Sequence, residues 1–178
     1  MRNVVVYELL SLDGVAEDPS TFFFEFDDVM RENLRRVIGT QDDVLLGRRT
    51  YDEWARFWPS SEIEPFATFI NGVRKHVASS TPLAPAWNGA ERLEGDVATF
   101  VAELRQGSGG DIGVHGSISV ARTLLEAGLV DRLCLVVAPV VHGGGRRLFD
   151  GAGPARFSLT RSAASPSGHL MLELEPRR

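Results

Sequence analysis

The sequence predicts an α/β fold: a central, mostly parallel mixed sheet flanked by helices, with an antiparallel hairpin at the C-terminus. Three observations carry this prediction. Apolar, β-branched runs alternate with segments of helical period from residue 3 to residue 138. Those runs are too uniformly apolar for strands with one wet face, so they belong in a sheet covered on both sides. Residues 156–163 and 169–175 read as two strands around Pro166-Ser167-Gly168, the second alternating Leu170, Leu172 and Leu174 inward against Met171, Glu173 and Glu175 outward.

The elements follow in order. Asn3 to Leu10 is the first buried strand and ends at the turn signal Ser11-Leu12-Asp13-Gly14. Val15 to Phe26 holds Pro19 and four phenylalanines without a period, which reads as a long loop, either an apolar plug over the core or a pocket wall. Asp27 or Asp28 caps a helix whose apolar face is Met30, Leu34, Val37 and Ile38, ending at Gly39. Asp43 to Gly47 is the next strand. Thr50-x-x-Glu53 and Ser61-x-x-Glu64 match the capping box and predict two helix starts. Residues 74–79 form a short strand, and Pro82 to Gly95 is loop. Asp96 caps a helix through Val97, Phe100, Val101 and Leu104, with Gly107 as its stop. Asp111 to His115 is a strand leading through Gly116-Ser117 into a helix that ends at Gly128, and Leu133 to Ala138 is the most apolar strand.

The 178 residues fit one domain, 1–178, at roughly 100–200 residues per domain. Cys134 is the single cysteine and sits inside an apolar strand, so it reads as a buried small hydrophobe. One Cys and four scattered His offer neither a disulfide framework nor a metal site. With 19 Lys+Arg against 24 Asp+Glu the net charge is -5, which argues against a nucleic-acid or acidic-membrane binder. No apolar run approaches the ~18 residues of a membrane span, and the start lacks a signal-peptide pattern, so a soluble cytoplasmic protein is expected.

Ligands of open α/β sheets bind beyond the carboxyl ends of strands, and two corners there carry phosphate-binding chemistry. At Gly47-Arg48-Arg49-Thr50 a glycine permits close approach, free N–H groups and the helix dipole attract an anion, and two arginines add a bidentate grip. At His115-Gly116-Ser117 a second strand runs into a helix; alone, Gly-Ser before a helix is common. Together the corners suit one extended, multi-phosphate ligand, with Ser79, Ser80 and Thr81 offering hydroxyls to a terminal phosphate. The chain has no G-x-G-x-x-G, no P-loop, no G-x-S-x-G and no H-E-x-x-H.

The segments Ser11-Leu12-Asp13-Gly14, Leu46 to Tyr51, Gly116-Ser117 with Leu124 to Asp131, and Pro139 to Phe149 resemble the dihydrofolate-reductase-like superfamily. The branch they are similar to is the C-terminal reductase domain of the bifunctional riboflavin-biosynthesis deaminase/reductase. That resemblance implies a three-layer NADPH-dependent oxidoreductase acting on a C=N or C=O of a small heterocyclic or sugar-linked substrate. The reference activity is 5-amino-6-(5-phosphoribosylamino)uracil reductase; dihydrofolate reduction and nucleotide binding without catalysis are the competing readings. By motif it implies cofactor contacts from Val15, Ala16, Gly47, Arg48, Arg49 and Thr50, from Ser79 and Ser80 beside the adenosine 2′-phosphate, and from Gly116, Ser117, Ile118 and Val120. It also implies a homodimer, and the zinc-dependent deaminase half is not expected, for want of cysteine ligands. Asp13 is the first candidate acid or substrate anchor, equally readable as a cap on its own turn, and Asp28 is the second. Phe24, Phe26, Trp54 and Trp58 are candidates for the substrate wall, core packing being the alternative for each.

Overall fold

The computed structural model describes residues 1–177. The strands are β1 (Val4–Leu10), β2 (Gln41–Gly47), β3 (Arg74–Ala78), β4 (Ala90–Leu93), β5 (Asp111–His115), β6 (Arg132–Val137), β7 (Phe157–Ala164) and β8 (Leu170–Pro176). The helices are α1 (Asp28–Ile38), α2 (Arg48–Phe57), α3 (Phe66–Gly72), α4 (Val97–Leu104) and α5 (Ile118–Glu126). The strands form one sheet in the order β4-β3-β2-β5-β1-β6-β8-β7. All pairings from β4 to β6 are parallel, whereas β6–β8 and β7–β8 are antiparallel. The α/β class, the parallel core and the terminal hairpin are therefore as the sequence predicts.

Side-chain alternation divides the core into two layers. Val5 and Tyr7 of β1 face a cluster with Met30 and Leu34 of α1, Tyr51 of α2 and Phe66 of α3. Val4, Val6 and Leu10 face the opposite cluster, with Val101 of α4 and Ala121 and Leu124 of α5. Helices start where the sequence supplies acceptors: the Asp27 carboxylate takes the Met30 N–H at 3.0 Å and Asp96 takes that of Thr99 at 2.8 Å.

Four details differ from expectation. Residues 90–93 pair in parallel with β3 as an edge strand inside the segment read as loop. Helix α2 begins at Arg48, so Thr50 lies inside its first turn; its hydroxyl donates to the Gly116 carbonyl at 2.7 Å instead of capping. Ser61 and Glu64 form no capping box either, because α3 starts at Phe66 and the Glu64 carboxylate accepts from Thr68. In β8, Met171 and Glu173 are buried while Leu170 is exposed, the reverse of the predicted faces at those positions. This stretch of sheet is covered on both sides: Glu173 pairs with Arg36 of α1, while Leu172 and Leu174 pack against the α5 layer. Among the described residues no helix is long and apolar enough to cross a membrane.

The topology fixes where a ligand can bind. The chain leaves β1 across one face through α1 to β2, and leaves β5 across the other face through α5 to β6. Strands β1 and β5 are neighbours, with Tyr7 opposite His115, so a crevice opens between their carboxyl ends.

Candidate active site

The two predicted corners meet beside this crevice, where β5 neighbours β2 on its other side. Gly47 N–H donates to Ser117 Oγ at 2.9 Å, Ser117 Oγ donates to Thr50 Oγ1 at 3.1 Å, and Thr50 Oγ1 donates to the Gly116 carbonyl. The residues whose hydroxyls could have capped α2 and α5 are spent on this bridge. Both helices consequently begin without a side-chain cap, leaving first-turn N–H groups available to an anion. Gly116 is required on two grounds. Its φ is +58°, and a Cβ there would lie 2.7 Å from Cζ2 of Trp54.

Three arginines ring the bridge. Arg48 reaches across to the β3 end, where its guanidinium donates to Ser79 Oγ at 3.1 Å and to the Pro82 carbonyl at 2.9 Å. Register explains the reach, because Gly47 of β2 pairs with Ala78 of β3. Arg49 pairs with Glu17 at 2.7 Å and is two-thirds exposed. Arg146, which sequence reading left without a role, donates to Ser119 Oγ in the first turn of α5 at 2.9 Å. Ser79 and Ser80 line an open groove with Arg92 and Leu93 of β4, so the unpredicted edge strand forms the far wall beside them. Ile118 and Val120, expected at the cofactor, are buried in the α5 layer, with Val120 packing beneath Gly47.

Asp13, read as an acid or substrate anchor or as a cap on its own turn, bonds within that turn and to the loop after β6. Its carboxylate accepts from the N–H groups of His142 and Gly143 at 2.9 and 3.0 Å and from the Ser11 hydroxyl at 2.7 Å, with Arg147 at 3.4 Å. These contacts, His142 N–H foremost, hold it well below the usual carboxylate range, so it carries no proton to give at neutral pH. It staples the loop after β6 to the turn after β1, which the β1–β6 register brings together. The Gly143–Arg147 run thereby gains a structural account: Gly145 sits at φ +96°, where a Cβ would meet Val15 at 3.0 Å. Val15 bridges to Arg147 and is wholly buried with Phe22 and Ala138, while Ala16 donates its N–H to the Arg146 carbonyl. Neither residue lines the cavity described next. The side chain of Asp28 is 98% exposed on α1 and pairs with Arg31, and Asp28 is absent from the lining of that cavity.

A cavity of about 310 Å³ opens beside Gly116. Its walls are Leu9, Phe26, Leu34, Trp54, Trp58, Ile63 and Phe66. Trp54, Trp58 and Phe66 meet edge to face, with ring centroids 4.8–5.9 Å apart. Phe26 and Trp54 are thus placed at the cavity, whereas Phe24 is 73% exposed and points away from the core. Glu8 of β1 also lines the cavity, as do His115 and Gly116. It is 2% exposed, its Oε1 has no partner, and burial pushes its carboxyl up to about 8, partly offset by the Ser117 N–H. Burial likewise drives His115 down to about 3, so its imidazole is neutral. Sequence reading missed Glu8. The one available signal was a carboxylate interrupting a run otherwise apolar or aromatic from Val4 to Leu10.

A parallel α/β sheet with uncapped helix starts, an arginine collar and an aromatic cavity at its topological switch defines a small-molecule site of the open-sheet class. The chain belongs to the RibD C-terminal domain family, whose model matches residues 2–171, as the sequence motifs implied. The reductase-like character of that family points to an oxidoreductase. The chain is 27% identical over 163 residues to the uncharacterized protein YyaP of Bacillus subtilis (strain 168), covering 83% of this chain and 80% of that one. A protein of Shewanella sp. PV-4 provisionally assigned to riboflavin biosynthesis shares the fold at a TM-score of 0.79 and 16% identity, with 99% of both chains covered. The deaminase/5-amino-6-(5-phosphoribosylamino)uracil reductase of Thermotoga maritima matches at a TM-score of 0.70 and 18% identity, covering 99% of this chain but 57% of that one.

Proposed function

We propose that the protein is an NADPH-dependent reductase of a small C=N or C=O compound, binding the dinucleotide along the carboxyl ends of β3, β2 and β5. The observation that carries this reading is the joined corner: two adjacent helix starts with free N–H groups, fused by Ser117 and Thr50 and ringed by Arg48, Arg49 and Arg146. One pyrophosphate spans such a corner. Gly47 and Gly116 keep the backbone open to it, and Arg48 with Ser79, Ser80 and Arg92 suits a 2′-phosphate at the far end. When bound, NADPH supplies the hydride; the chain supplies orientation and a proton. The proton is best held by Glu8, whose carboxyl is neutral at pH 7 and next to Gly116, in place of Asp13 or Asp28. The Thermotoga maritima deaminase/reductase among the structural neighbours favours this class of reaction.

The test has two parts. Calorimetric titration should show saturable NADPH binding, and absorbance at the reduced-nicotinamide band should fall when a panel of pterins, pyrimidines, imines and aldehydes is added. Saturable binding with no turnover on any member would favour a non-catalytic nucleotide-binding protein. Inhibition by methotrexate, with turnover of dihydrofolate, would favour dihydrofolate reductase activity. A cytoplasmic homodimer completes the reading: β7 is an edge strand with Leu159 57% exposed, and light scattering would give the mass.

A further inference from the structure

Resting on the reductase reading, the geometry points to a particular substrate class: we propose that the cavity takes a flat, uncharged aromatic or heteroaromatic compound bearing a hydrogen-bond acceptor, and not a sugar phosphate. The walls decide the shape. Trp54, Trp58 and Phe66 meet edge to face at interplanar angles of 66–83°, and Leu9, Phe26, Leu34 and Ile63 complete an apolar slot. Its volume of about 310 Å³ is at the small end of ligand sites, which run from ~300 to ~1,000 Å³. That suits a compound of one or two rings.

The charges decide the chemistry. The ionisable lining groups are Glu8 and Tyr7 from β1, His115 from β5, Arg31 from α1, and Glu64 before α3. Arg31 is the only Lys or Arg among them, and it is paired with Asp28 at 2.6 Å. A phosphate dianion in this slot would meet apolar walls and the Glu64 carboxylate, and the one arginine of the lining, Arg31, is exposed at its edge and shared with Asp28. The basic side chains Arg48, Arg49 and Arg146 are all absent from this lining. Three lining polar atoms have no partner: the indole Nε1 of Trp58, a donor, the Tyr7 hydroxyl, and Oε1 of Glu8, all buried. A carbonyl oxygen or ring nitrogen on the ligand would satisfy the Trp58 donor. In turnover, the Glu8 O–H bond would break as an N–H or O–H bond forms on the substrate. Bound reduced nicotinamide would supply the hydride, with its electron pair, for the new C–H bond and be left oxidised, and the Glu8 carboxylate would regain its proton from solvent.

The probes are 1-naphthol and 1-naphthyl phosphate, matched in ring and differing in charge, titrated calorimetrically into the full chain without cofactor. Naphthol should bind at least tenfold more tightly than its phosphate. Ile63→Lys places a cation on a rim residue that is 59% exposed, so the fold should tolerate it; it should narrow that preference at least threefold. Equal or tighter binding of naphthyl phosphate to the wild type, binding of neither compound, or an unchanged preference in Ile63→Lys would each overturn the proposal. NADPH titrated separately keeps the two readings apart. Naphthol binding without NADPH binding would sink the reductase assignment alone, and NADPH binding without naphthol binding would sink the substrate class alone.

Discussion

Replacing Glu8 by Gln should stabilise the protein, and more so as the pH rises. The side chain is buried against Gly116 and the Ser117 N–H, and burial pushes its carboxyl from 4.5 up to about 8. In the unfolded chain Glu8 ionises above pH 4.5, whereas in the fold it stays protonated until about pH 8. Between those limits the folded state binds one more proton than the unfolded state, so the stability contribution of Glu8 falls as pH rises. Each pH unit of that window is worth about 1.4 kcal/mol. Glutamine keeps the shape and a hydrogen-bonding amide but cannot ionise. From pH 5 to pH 7 the Glu8→Gln variant should therefore gain about 3 kcal/mol on the wild type. His115, held down to about 3, loses stability as pH falls below its ordinary value, but it does so in both proteins and cancels from the difference. Urea unfolding of both proteins at several pH values reads this directly. A difference that stays flat from pH 5 to pH 7 would show that Glu8 is ionised in the fold, and with it would go the proton source.

Three further outcomes are expected. Gly116→Ala should cost about 2 kcal/mol, because it combines a left-handed backbone with overpacking against Trp54, and denaturant midpoints will measure it. Arg48→Ala should lower NADPH affinity at least tenfold more than NADH affinity, whereas Arg146→Ala should lower both alike; competitive titrations separate the two roles. Asp13→Asn should leave hydride chemistry intact while loosening the loop after β6. Faster amide exchange at His142 and Gly143 would register the loss of their acceptor, and unchanged exchange would contradict the staple.

Most of the fold was legible because its strands are buried on both faces. Val4 to Leu10 and Leu133 to Val137 can be little else, and Asp27 and Asp96 mark helix starts by a local bond that needs no tertiary context. β4 escaped notice because an edge strand of Ala90-Glu91-Arg92-Leu93 carries no apolar run, its ordering coming from β3 alongside. Thr50 looked like a cap because the local spacing fits one. Its hydroxyl instead answers a carbonyl 66 residues away, a partner no short window contains. The same limit applies at the site. Gly47, Arg48, Gly116 and Ser117 announced themselves as strand-to-helix corners, but their fusion into one corner is a product of β2–β5 pairing. Glu8 was overlooked and Asp13 singled out for a related reason. A carboxylate's protonation follows its surroundings, and only the fold reveals that Asp13 meets two N–H groups while Glu8 meets apolar walls.

The central claim is that NADPH lies on the joined corner. Amide chemical-shift mapping with added NADPH tests it most directly, and perturbations should concentrate at Gly47 to Thr50, Ser79, Ser80 and Gly116 to Ser119. Saturable shifts confined to those positions are the predicted result. An unchanged spectrum at millimolar NADPH, or shifts elsewhere on the molecule, would contradict it.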